Sequence, residues 1–314
     1  MSKKELILVH PTALINELFP KEGFVTGNDL IGNFADIQSL EKCLDEGLSI
    51  QRREAVETNP AFRHLLPGVN LFRLNPQGKL ELFVYQRVKG IGEERLLGKH
   101  SVLIGGHINV SHCHFHDGHS TLNLGMTIMY NVMEELCEEL ILGDKPFIQA
   151  LIDDNVRAQP SIYAYINDNS DEVGQRHLGV PMLMMIPYGY DPVCAESSAV
   201  TVGFVEVEQL RANPEAYNFE SWAKLIINGL SDQFLDDLAH AGRTADIQFA
   251  EFKAQQDEAL KGLVAVGGVE GAVAASNTLQ VALDPNDPNP AQTVDALQDA
   301  FEETCSAECQ AERL

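Results

Sequence analysis

The chain has 314 residues, enough to bury a sizeable core in one large domain or two modest ones. Its 46 acidic side chains against 22 basic ones leave a net charge of −24, which excludes bulk nucleic acid as a partner because neutralisation of phosphates by cations drives that binding. No apolar run approaches the length of a bilayer span, and the start MSKKELILVHP lacks the hydrophobic core and cleavage site of an export signal, so a cytoplasmic protein with no membrane partner is expected.

In chain order, the first 59 residues mix short apolar runs with a predicted helix at 36–48. The strongest hairpin pattern follows. NLFRL and LELFVYQRV alternate apolar and polar positions and are joined by Asn75, Pro76, Gln77 and Gly78. Gly90 and Gly92 mark a further turn, and HSVLIGGHINV reads as an apolar strand running into Gly105 and Gly106. After a polar insertion, Asn131 to Leu142 (NVMEELCEELIL) reads as a helix with Val132, Leu136 and Leu140 as its buried stripe. Strands are then predicted at SIYAYIN from Ser161, at LGVPMLMMI from Leu178 and at Ala199 to Val207, with Pro181 pointing to an edge or a bulge in the second. Strands and helices without regular alternation predict a mixed sheet between helices. Beyond about Ser231 aromatics thin out and alanine rises. Phe249 to Leu263 reads as an amphipathic helix, LDPNDPNPAQT as a linker and the residues from Thr293 as a terminal acidic helix.

The acidic helix holds the candidate chemistry. It carries four glutamates in six residues, and Glu135, Glu138 and Glu139 fall at i, i+3 and i+4, so a helix projects all three from one face. Either this is a solvated acidic face, or the mutual repulsion is relieved by a hard divalent cation of the kind that handles phosphate groups. Histidines cluster just upstream in HINVSHCHFHDGH, where His112, His114, His116 or His119 with Cys113 or Asp117 could form a transition-metal site, or could simply line a polar surface insertion. The six cysteines show no framework spacing, as expected of reduced thiols; Cys305 and Cys309 sit one helical turn apart without a second ligand pair.

The order of strand, Gly-Gly turn, loop and EExxEE-like helix resembles the signature of the Nudix hydrolases. In that resemblance Glu135, Glu138 and Glu139 match the metal-binding glutamates, and Gly106 stands for the leading glycine. Flanking segments extend the likeness over roughly Ser2 to Asp232: PAFRHLLPGVNLFRLNPQGKLELFVYQR looks like the opening hairpin, GIGEERLLGKHSVLIGGHI the approach to the box, VGQRHLGV a later strand and NFESWAKLIINGL the closing helix. There are departures. Glu134 replaces the box arginine, Ile141 the late glycine, and Met126 falls where an upstream glutamate is expected, while the loop before the helix is longer than the standard box. The replacement of arginine puts a carboxylate where the pattern has an ion-pair partner.

The resemblance implies an α/β/α sandwich around a mixed sheet with an additional C-terminal helical region. The expected organisation is an N-terminal elaboration of the core over 1–59, a Nudix-like domain over 60–232 and an acidic, Ala-rich helical extension over 233–314, the last offering a surface for homo-oligomerisation. The implied activity is hydrolysis, dependent on Mg²⁺ or Mn²⁺, of a nucleoside diphosphate linked to another group, so the implied partner is a small phosphorylated nucleotide. The alternative is a non-catalytic Nudix-like module that binds a nucleotide or a protein. Arg87, Arg95, Gly106, His107 and His177 are the candidate substrate contacts, and a box glutamate, Glu94 or His177 the candidate base.

Overall fold

The computed structural model describes residues 5–26, 43–88, 96–116, 122–172 and 174–244. The chain divides into two compact units, Met1–Ala239 and His240–Leu314. In the second, the described residues 240–244 are helical. The expected tail elements, most of the helix at 36–48, and the Gly90 and Gly92 turn lie outside the described residues; 43–47 are helical.

The strands of the first unit are β1 (Leu6–Pro11), β2 (Gly23–Thr26), β3 (Ser49–Arg52), β4 (Phe62–Leu74), β5 (Leu80–Arg87), β6 (His100–Ser101), β7 (Leu140–Leu142), β8 (Lys145–Pro146), β9 (Ser161–Ile162), β10 (Ala164–Asn167), β11 (His177–Met185), β12 (Val193–Cys194) and β13 (Ala199–Glu206). The helices are α1 (Thr12–Leu18), α2 (Arg53–Val56), α3 (Leu124–Glu139), α4 (Phe147–Asp153), α5 (Val207–Ala212) and α6 (Ser221–Gly229). Among the described residues ten strands form one mixed sheet with the central order β13-β5-β4-β11-β10-β2, while β12, β7 and β8 form a second, small one. The mixed α/β architecture anticipated from the pattern is the one observed.

The hairpin from β4 to β5 forms where alternation and turn chemistry place it. Leu74 opposes Leu80, the Asn75 side chain accepts from the N–H groups of Gln77 and Lys79 at 3.1 and 2.9 Å, and Gly78 takes a φ of +74° that favours glycine. Alternation then divides the side chains between two faces. Phe72, Leu74, Leu80, Leu82 and Val84 join a core with Trp222, Ala223 and Ile226 of α6, and Leu71, Phe83 and Tyr85 are buried on the other face. Burial of both faces of a sheet demands a covering layer on each, which is the source of the sandwich.

Three expectations need correction. The strand predicted across HSVLIGGHINV shrinks to His100–Ser101 and two isolated bridges, from Ile104 to Val69 and from Asn109 to Ile7, and between them Gly105 packs directly on the backbone of Pro67 and Gly68. The acidic helix starts at Leu124, seven residues earlier than expected, with the Asn123 side chain accepting from the Met126 N–H at 3.0 Å. It also stops at Glu139. Leu140 to Leu142 turn into β7 instead, returning to β8 through Gly143 at φ +67°. Finally, Pro181 is not on an edge: β11 runs parallel to β4 from His177 opposite His64 to Met185 opposite Phe72. Its missing N–H faces the break between β9 and β10, where the Tyr163 N–H donates to the Pro181 carbonyl at 3.2 Å, so no ladder bond is lost.

Arg63, 1% exposed, clamps β4 to the loop before β11: it donates to the Asn167 and Asn169 side-chain oxygens at 2.7 and 2.6 Å and to the Gln175 carbonyl at 3.0 Å. Arg63→Ala strands the buried Asn167 oxygen and loosens the partly buried contacts to Asn169 and Gln175, and urea unfolding is expected to show a loss of about 3 kcal/mol. A loss under about 0.5 kcal/mol would mean that water replaces the guanidinium without penalty.

Candidate active site

The acidic helix α3 packs against β4 and buries Ile128, Val132 and Leu136, which turns its glutamates away from the core. Its height relative to the Gly-Gly turn is set by Asn131, whose amide donates to the His107 carbonyl at 3.0 Å. The Ile108 carbonyl on the same turn accepts from the Leu8 N–H at 3.0 Å, so β1 holds the turn from the other side.

Gly106 lies against Glu135. A Cβ at Gly106 would stand 2.1 Å from the Glu135 Oε1, so glycine is the residue that leaves room for the carboxylate. No donor or cation among the described residues pairs with Glu135, and burial, then Glu139, Glu138, Glu134 and Glu196, hold its carboxyl well above the usual range. For Glu139 burial again comes first; Arg87 opposes it and Glu196 and Glu138 add to it, leaving the carboxyl at about 7. Glu138 is exposed. Two acids pushed up this hard, with Arg87 offsetting only part of the effect at Glu139, suit a hard divalent cation, whose charge would remove the repulsion and draw off their protons.

Arg87 reaches the same place from β5. Its guanidinium donates to the Tyr85 hydroxyl at 3.1 Å, and that hydroxyl donates to the Leu103 carbonyl at 2.8 Å. Tyr85, Arg87, Ile104, Glu139, Cys194 and Glu196 line one cavity, which thus holds two acids and one base. Glu196 was not anticipated. It sits on the connection from β12 to β13, far from the helix in sequence, and nothing around it marks it as a site residue. Arg95 and Glu94 lie outside the described residues.

Glu134, the departure from the box, has a partner of its own. It accepts from the Nε2 of the buried His112, whose Nδ1 accepts from the Asn109 N–H at 2.9 Å; the second bond puts the ring proton on Nε2. His114 stacks on Tyr130 at 3.8 Å between centroids and His116 is exposed, so these three do not converge on a metal; His119 lies outside the described residues. His107 and His177 do meet, Nε2 to Nε2 at 3.2 Å, beside a third ring, His64 of β4, that sequence reasoning passed over. Among the described residues these histidines are the set of three ligand groups whose atoms lie within 4.8 Å of one another, and Glu135, Glu138 and Glu139 do not form such a set.

In fold the chain is similar to Nudix proteins of known structure. The solved structure of Tm1382, described provisionally as a Nudix hydrolase, aligns with a TM-score of 0.50 and 18% identity over 72% of this chain and 98% of that one. A Nudix hydrolase from Alicyclobacillus acidocaldarius aligns at a TM-score of 0.33 and 10% identity over 53% of this chain and 90% of its own. Among curated proteins the chain is similar to Protein YmaB of Bacillus subtilis (strain 168), 24% identical over 224 residues, covering 71% of this chain and 96% of that protein. No family model matches the chain. No helix among the described residues is long and apolar enough to cross a membrane.

Proposed function

We propose that the chain hydrolyses the pyrophosphate bond of a nucleoside diphosphate linked to another group, with Glu135, Glu138 and Glu139 holding Mg²⁺ or Mn²⁺. The observation that carries this reading is a pair of carboxylates held in their protonated form, Glu135 packed against Gly106 and Glu139 in the cavity beside Arg87, on the helix that follows the Gly-Gly turn. Bound there, the cation would offset phosphate charge and acidify a water molecule. The chain's own part is positional. Gly106 admits Glu135, Asn131 fixes the turn, and Arg87 supplies a cation at the cavity wall that a phosphate oxygen can share with Glu139. Glu139 is the fitting proton acceptor by position, since it lines the cavity beside Arg87 and a bound cation would keep its carboxylate ionised. His177, the other candidate base, is 5% exposed and engaged with His107.

A panel of nucleoside diphosphate compounds tests the reading. Turnover to two phosphorylated products, dependent on Mg²⁺ or Mn²⁺ and abolished by a chelator, is the expected result. Absence of cleavage across the panel by protein that demonstrably binds Mg²⁺ would overturn it.

A further inference from the structure

We propose that His64, His107 and His177 form a second metal site, separate from the glutamates and specific for a zinc-class transition metal.

Three neutral imidazoles are the ligand set such ions favour and a hard cation does not. Their candidate ligand atoms all lie within 4.8 Å of one another. Tetrahedral coordination with Zn–N bonds of about 2.0–2.1 Å puts ligand nitrogens about 3.3 Å apart, and the Nε2 atoms of His107 and His177 stand 3.2 Å apart. His64 supplies the independent sign that something is missing. Its side chain is 0% exposed, and neither ring nitrogen has a hydrogen-bond partner. A buried imidazole without a partner is costly unless a ligand completes it. The Val56 carbonyl approaches the ring as a weak acceptor, but its geometry falls short of a full hydrogen bond and leaves the other nitrogen with nothing.

Three different parts of the fold hold the rings: His64 at the start of β4, His177 directly opposite it at the start of β11, and His107 on the turn beside Gly106. The parallel register of β4 and β11 therefore builds two-thirds of the site before any ligand arrives, and the turn that admits Glu135 delivers the third ring. Burial holds His64 and His107 in the neutral form that binds a metal. The ionised groups acting on them are cationic, Arg53 on both and Arg176 on His64, and no carboxylate is among them. A divalent ion here would thus take an anion, such as hydroxide or a phosphate oxygen, in its fourth position.

Co²⁺ titration of the metal-stripped full chain in excess Mg²⁺ decides the matter, since tetrahedral and octahedral Co²⁺ differ in visible absorption and Mg²⁺ occupies carboxylate sites. One equivalent with a tetrahedral spectrum is expected. His107→Asn and His177→Asn should each weaken it at least 100-fold, a larger effect than the 10–100-fold typical of residues that merely support a ligand. Because His107 sits on the turn and not in the sheet, its variant tests the site even if changes at His64 or His177 prevent folding. Glu138→Gln should leave the spectrum unchanged. No tetrahedral band in the wild type, a band that survives His107→Asn, or a band lost in Glu138→Gln would each overturn the proposal. This readout does not depend on turnover, so it stands or falls apart from the hydrolase reading.

Discussion

Glu139→Gln is expected to lower metal-dependent pyrophosphate cleavage by about a hundredfold or more, the usual worth of a positioned proton acceptor, while making the metal-free protein more stable. Glutamine keeps the shape of the side chain and removes the charge that burial, Glu196 and Glu138 oppose. The stability difference has a defined pH dependence. The folded protein keeps a proton on Glu139 up to about pH 7, whereas the unfolded chain releases it near 4.5. The neutral acid therefore costs nothing below about pH 4.5, and its stabilising contribution is lost as pH rises through 7. The variant should match the wild type near pH 4.5 and exceed it by up to about 3 kcal/mol at pH 8, with thermal midpoints taken at both values. Turnover within twofold of the wild type would exclude Glu139 from the chemistry. Equal stability at pH 8 would show that its carboxylate is already neutralised.

The two glycines of the turn are expected to fail in different ways. At Gly105 a Cβ would stand 2.1 Å from the Pro67 carbonyl oxygen and 2.6 Å from the Gly68 Cα, and backbone on both sides cannot give way. Gly105→Ala should destabilise the fold by about 3 kcal/mol or more. At Gly106 the obstacle is the end of the Glu135 side chain, which can swing aside. Gly106→Ala should thus fold normally but displace Glu135, weakening Mg²⁺ binding about tenfold or more with a parallel loss of turnover. Urea unfolding and Mg²⁺ titration of both variants measure this. A Gly106→Ala protein with unchanged metal affinity would remove Glu135 from the site.

Much of the frame could be read in advance because it rests on local chemistry. Alternation from Asn70 to Arg87 and the Asn75 to Gly78 turn specify a hairpin whatever surrounds it, and three glutamates at helical spacing share a face in any helix. The boundaries that failed depend on distant partners. Leu140 to Leu142 has as apolar a pattern in a helix as in a strand, and the presence of β12 selects the strand. Pro181 suggests an edge unless the gap between β9 and β10 opposite it is known.

By itself the amino-acid sequence determined the hairpin, the acidic helix and the Gly-Gly turn before it, since each follows from neighbours a few residues apart. Tertiary structure alone decided that Glu196 and Arg87 flank Glu139, that Glu134 faces His112, and that His64, His107 and His177 meet. These groups are separated by tens of residues, and what brings them together is strand register and the burial of both sheet faces, neither of which has a local signal.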